Sequence, residues 1–233
     1  MQLTVRDASK LLNLPEKEIY RLIKRNDIPF YRLNKSCFFN RAELLEWAIA
    51  RSVDISADFF SSPDSRTETL PQLCDAIEKG GIHRLTNNDS KSDMLRMVVS
   101  CIPGLSDPDR ERIFTALLAR ETLGSTAIGN GIAIPHVRNP IIINSNDPIV
   151  LLCFLSKPID YGALDGKKVS TIFMMISPNT RIHLHLLARL SFILQNKKIQ
   201  TMLPGEKDDQ IILSRVRDLE KTIRPAADPG ARP

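Results

Sequence analysis

A chain of 233 residues with 42% hydrophobic and 25% charged residues has the make-up of a soluble globular protein of one or two domains. No apolar run approaches the ~20 residues that span a bilayer. The start "MQLTVRDASK" also lacks the regions of a secretory signal, so membrane and exported classes are set aside and a cytoplasmic location is expected. A net charge of +5 permits contact with nucleic acid without requiring it, so the placement of charge matters more than its sum.

Along the chain, Thr4 is a good N-cap for a helix whose apolar positions Val5, Ala8, Leu11 and Leu12 fall at helical spacing. Pro15 suits the first position of a second helix, "PEKEIYRLIKRND", with Ile19, Leu22 and Ile23 on one side. "IPFYRLNKSCFFN" alternates around a polar centre at Asn34–Lys35–Ser36 and reads as a β-hairpin. Asn40 caps a third helix, "RAELLEWAIA". Residues 51–70 shift to Ser, Asp, Thr and Pro and read as a linker, with Phe59 and Phe60 candidates for docking onto a domain. Beyond it the pattern becomes mixed α/β. Helices are predicted at 71–79, 90–101 and 107–121, strands at "GIAIP", "IVLLCFLS" and "VSTIFMMIS", and late helices at "RIHLHLLARLSFILQN" and "DDQIILSRVRDLEKTI". The end "RPAADPGARP" is rich in proline and glycine and is expected to be disordered. The division is thus 1–50, a small self-contained unit; 51–70, a linker; 71–223, an α/β domain; and 224–233, a tail. The four cysteines, Cys37, Cys74, Cys101 and Cys153, lie far apart with no metal-ligand spacing, so they are expected to be small buried residues in a reducing compartment, and no metal is expected.

Residues 1–35 carry eight Lys/Arg against four Asp/Glu, so most of the positive excess sits at the start of the chain. Lys17, Arg21 and Lys24 recur at i, i+4 and i+7 on one side of the second helix, interleaved with Tyr20, and Arg32 and Lys35 lie on the hairpin. A lone basic stripe is ordinarily a solvated face. Helix, turn, helix, hairpin is, however, the layout of a winged helix-turn-helix, in which the second helix enters the major groove. The stretch "IYRLIKRNDIPFYRLN" and its surroundings resemble the MerR/excisionase-like DNA-binding domains. The resemblance implies double-stranded DNA as partner. A single half-site reader of this size binds weakly, so a second copy or another partner is expected. The departure, Asn26–Asp27 at a turn where glycine is common, is one a left-handed asparagine tolerates.

The most sharply punctuated stretch is "GNGIAIPHVRN". "GSTAIGN" has the two glycines of a Walker A loop, but Asn130 and Gly131 stand where Lys and Ser/Thr are required. Ile134 occupies the third glycine of a dinucleotide fingerprint, and no G-x-S-x-G elbow is present. His136, His183 and His185 have no cysteine or carboxylate at supporting spacing for zinc. What remains is histidine as nucleophile. A neutral imidazole offers one nitrogen to phosphorus and forms a phosphohistidine. Gly129 and Gly131 allow a close backbone turn, Ile132 and Ile134 anchor one face of a strand, Ala133 leaves the other face uncrowded, and Pro135 restrains the entry to His136. Arg120 and a second histidine are candidate donors to the phosphoryl group.

"RETLGSTAIGNGIAIPH" resembles the active-site segment of phosphotransferase-system enzyme IIA domains of the mannitol/fructose type, nearest the nitrogen-regulatory branch, and the resemblance runs over about residues 67–222. It implies an IIA-like α/β fold, a mixed sheet flanked by helices, behind the winged helix-turn-helix. It implies that His136 accepts phosphate from an HPr-type phosphocarrier protein, with Arg120 and His183 completing the site and His185 pointing elsewhere. No cofactor is expected. "HVRN" departs from the usual "HGK", so Val137 and Arg138 are where donor preference can differ. The fusion suggests a phosphorylation-dependent transcription regulator, with regulatory protein targets and a homodimer among its partners. The alternatives are a IIA component feeding a IIB domain in sugar uptake, and a non-catalytic docking module.

Overall fold

The computed structural model describes residues 2–33, 36–51, 53, 55–56, 70–86, 90–137 and 147–223. The chain divides into two compact units, Leu70–Glu220 and the remainder.

The N-terminal unit runs β1 (Gln2–Thr4), α1 (Val5–Leu11), α2 (Glu16–Lys24), β2 (Tyr31–Leu33), β3 (Ser36–Asn40) and α3 (Arg41–Ala50). Thr4 caps α1 through a reciprocal box with Asp7. Pro15 is the N-cap of α2 rather than its first residue. Asn26 takes φ +56°, the left-handed turn that the missing glycine required. The predicted hairpin forms, and β1 adds a third strand in the order β1-β3-β2, with Leu3 opposite Phe39. Three residues ahead of a helix cap are too few to show strand periodicity. Asn40 caps α3 by accepting from Ala42 N–H, and the Trp47 indole donates to the Asp27 carbonyl, which fixes α3 to the turn after α2. The hairpin tip with Lys35 lies outside the described residues, as do Phe59, Phe60, most of the linker and the tail.

The second unit contains α4 (Leu73–Gly80), β4 (Ile82–Leu85), α5 (Lys91–Ser100), α6 (Asp107–Thr122), β5 (Ala127–Gly129), β6 (Ile132–Ala133), β7 (Ile149–Ile159), β8 (Val169–Ile176), α7 (Thr180–Gln195), α8 (Lys197–Met202) and α9 (Asp209–Thr222). The strands form one mixed sheet, β4-β7-β8-β6-β5. β7 and β8 pair antiparallel, while β4 with β7 and β6 with β8 run parallel. The short edge strands β4 and β5, and α8, were not legible from the sequence. Alternate residues separate the two faces of the sheet. Ala133, Val137, Ile172, Met174 and Ile176 join one core with Met94, Val98, Phe114 and Leu117 of α5 and α6. Ile132, Ile134, Phe173 and Met175, all nearly fully buried, alternate with these and face the other way.

On that second face, one carboxylate ties three helices together. Glu220 of α9 accepts from Leu73 N–H at 2.7 Å and Cys74 N–H at 2.9 Å, so it caps α4, which has no cap of its own. Arg189 of α7 donates to the same carboxylate at 2.9 Å. Glu220 is 3% exposed in its side chain and Arg189 15%. Removing one partner of a buried pair strands the other and the capped amides, so Glu220→Ala is expected to lower stability by about 3–5 kcal/mol in urea unfolding. A loss below about 1 kcal/mol would place the joint outside the cooperative core.

Candidate functional site

The site grows out of three successive left-handed residues. Gly129, Asn130 and Gly131 have φ of +87°, +52° and +75°. A Cβ on Gly129 would stand 3.1 Å from an Asp165 carboxylate oxygen, which also accepts from Asn130 N–H at 2.8 Å. Gly131 O accepts from Ser170 N–H and Thr171 N–H, which joins the turn to β8. The glycines therefore serve backbone freedom and close approach. Beyond β6 the chain stays extended. Pro135 O accepts from Met175 N–H at 3.0 Å, and His136 pairs in parallel with Met175.

Ile132, Ile134 and His136 thus lie on one face, away from α5 and α6. This corrects the expectation for Ala133: its side of the strand is the packed core, with Ala133 fully buried there. Val137 also enters that core. The residue that replaces a family glycine is therefore an interior packing residue, and Arg138 lies outside the described residues.

His136 Nδ1 sits 2.8 Å from Ile134 O. A carbonyl only accepts, so Nδ1 carries a proton, and in the neutral ring the lone pair is on Nε2. The ring of His183 stands 5.0 Å away between centroids, tilted by 39°. His183 is in the first turn of α7, a helix capped by Asn179 through Ile182 N–H, and its own N–H donates to Asn179 O. The arrangement joins two imidazole rings to a helix N-terminus whose dipole favours negative charge. Both rings are buried.

Arg120, at the end of α6, donates to Gly124 O at 2.9 Å, which closes the loop leading into β5. His185 points elsewhere, as expected: its Nε2 lies 3.1 Å from Pro71 O. His83 contacts Gly80 O within its own turn, a structural role. Burial pushes the His185 imidazole down to about 4, helped by the charges of Arg189 and Arg181 and opposed by the Pro71 contact. In the unfolded chain it binds its proton near pH 6.5. Stability is therefore unaffected by this group above pH 6.5 and falls as pH drops from 6.5 to 4, by up to about 3 kcal/mol. A melting-temperature series against pH should show this fall flattened in His185→Gln. Parallel curves for the two proteins would remove the assignment.

Of the cysteines, Cys74 and Cys153 are buried, while Cys37 and Cys101 are partly exposed, against the expectation that all four are interior. Burial holds the Cys74 thiol up at about 11. On α2, Ile19 and Ile23 are buried, whereas Lys17, Tyr20, Arg21 and Lys24 are exposed, Tyr20 by 56%. Arg21 pairs with Glu18 at 3.0 Å. Arg32 is exposed on β2, its guanidinium 5.7 Å from the Phe30 ring centre. Among the described residues no helix is long and apolar enough to cross a membrane.

A five-stranded mixed sheet between helices, with paired histidines at a strand end and a helix start, defines a IIA-type domain. The family described as "Phosphoenolpyruvate-dependent sugar phosphotransferase system, EIIA 2" matches residues 75–218, and "Helix-turn-helix domain" matches residues 3–52. The nitrogen regulatory protein of Pseudomonas aeruginosa is 34% identical over 134 residues, 56% of this chain and 85% of that one. Its counterpart in Bradyrhizobium diazoefficiens is 33% identical over 128 residues, covering 54% and 82%. The crystal structure of nitrogen regulatory protein IIA-Ntr from Neisseria meningitidis matches with TM-score 0.54 at 27% identity, over 62% of this chain and 98% of that one. The chain belongs to the type 2 enzyme IIA family of the phosphotransferase system and carries a helix-turn-helix domain ahead of its IIA domain.

Proposed function

We propose that the protein is a cytoplasmic phosphotransferase-system regulator that takes a phosphoryl group on His136 Nε2 from an HPr-type phosphocarrier and binds double-stranded DNA through its N-terminal unit. The observation that supports this most is the Nδ1–H contact to Ile134 O, which leaves Nε2 as the nucleophile beside His183. Nε2 attacks phosphorus, the N–P bond to the donor's imidazole breaks, and the donor ring keeps the electron pair. His183 N–H, the start of α7 and Arg120 offset charge on the equatorial oxygens. The helix-turn-helix, of the MerR/excisionase-like kind, places Lys17, Tyr20, Arg21 and Lys24 of α2 toward the major groove and Arg32 and Lys35 toward phosphates. A second copy supplies the other half-site.

A doubly negative group on His136 alters contacts and partner choice, which couples phosphorylation state to transcription. The test is the amount of specific DNA bound by unphosphorylated and phosphorylated protein, measured side by side at one salt concentration. Equal binding by the two forms would separate the two activities.

A further inference from the structure

We infer that Glu121 is a positioning residue for His136, holding its ring in the Nδ1–H form through the backbone of Thr126 and Ile134. The inference rests on the reading of His136 as phosphoacceptor.

Glu121 ends α6 with its side chain only 5% exposed. A carboxylate taken out of water costs several kcal/mol unless donors satisfy it. Here the donors are specific. Thr126 N–H reaches the two carboxylate oxygens at 3.2 and 3.4 Å, the Thr126 hydroxyl donates to the same group, and Lys91 Nζ stands 3.3 Å away. Tyr161, fully buried, closes the cluster, with its hydroxyl 3.5 Å from Thr126 Oγ1 and the Lys91 ammonium 4.4 Å from its ring centre.

An ionised carboxylate only accepts, so both donors of Thr126 are drawn to one side. The Thr126 carbonyl is used elsewhere: it accepts from Ile134 N–H at 3.0 Å. Ile134 O in turn accepts from His136 Nδ1–H at 2.8 Å. Glu121 therefore clamps the open end of the β5–β6 hairpin, where Ala127 pairs with Ala133, and two residues of backbone carry that clamp to the imidazole. With Ile134 O fixed, the ring keeps its proton on Nδ1 and presents Nε2. Glu121 touches neither ring nor phosphoryl group in this scheme; it acts through Thr126 and Ile134.

The test uses the full ¹⁵N-labelled chain, wild type and Glu121→Gln, with the His136 signals assigned by comparison with His136→Ala. Two-bond ¹H–¹⁵N spectra read the ring tautomer. Uptake from a phosphorylated HPr-type carrier reads the rate. Glutamine keeps the volume but removes the charge that balances Lys91 and leaves a single, weaker neutral acceptor for both Thr126 donors, so the clamp loosens. The expected result is a Nδ1–H tautomer in the wild type, a mixed tautomer in the variant, and uptake slowed about tenfold or more. Thr126→Val, which removes only the hydroxyl contact, shifts both readouts the same way by less and serves if Glu121→Gln does not fold. A folded Glu121→Gln variant with the wild-type tautomer overturns the inference whatever its rate, since a merely structural carboxylate would lower the melting temperature alone. Wild-type protein that takes up no phosphate overturns the phosphoacceptor reading instead, and the tautomer measurement still decides the role of Glu121.

Discussion

His136→Ala is expected to take up no phosphoryl group from a phosphorylated HPr-type carrier, while the wild type is expected to be labelled in a form lost in acid and kept in base. The expected effect is complete because the nitrogen that forms the N–P bond is gone. The backbone around it is held at each step: three left-handed residues turn the hairpin, Met175 N–H bonded to Pro135 O holds the strand, and Ile134 O accepts from the ring. His183→Gln is expected to label slowly rather than not at all, by about 100-fold, because it removes a donor to the transferring group without removing the nucleophile. Equal labelling of wild type and His136→Ala would move the phosphoacceptor to another residue, and the hairpin would then be read as a docking element.

Combined replacement of Lys17, Arg21 and Lys24 by alanine is expected to weaken duplex DNA binding by roughly 100-fold near physiological salt and to reduce the log–log salt slope by about 3. These three side chains share the exposed side of α2, opposite the buried Ile19 and Ile23, so the substitution leaves the packing of the unit intact. Arg21 is expected to contribute least of the three, because binding phosphate requires it to leave Glu18 at 3.0 Å. Single substitutions measured at several salt concentrations check this order. Binding that is insensitive to salt, or unchanged in the triple variant, would make the N-terminal unit a protein-interaction module.

Much of this was legible before any coordinates. Caps announced their helices: Thr4 and Asn40 each accept from the first turn they precede. The long buried strands announced themselves as apolar runs, although β7 continues past its polar Ser156–Lys157–Pro158 to Ile159, which a periodicity reading stops short of. β4 and β5 escaped because four and three residues, with a charge in one and a glycine in the other, carry no pattern of their own. They are strands because longer neighbours offer them a ladder. The side of the strand on which Ala133 lies was misread because alternation along β6 shows which residues share a face, and says nothing about which face the helices cover.

The sequence by itself determined the two-unit plan, the turn that Gly129 and Gly131 allow and the candidate histidine that follows it. Each of these depends on contacts within a few residues, where backbone sterics and capping act. Tertiary structure alone decided the rest. It brought His183 to 5.0 Å from His136 across a gap of 47 positions, set the protonated nitrogen through Ile134 O, capped α4 with Glu220 from the far end of the domain, and placed Lys91 and Tyr161 around Glu121. No local rule specifies such pairings, because a buried charge takes whatever donor the packed fold puts beside it, and the cost of burial enforces the match only once the core has closed.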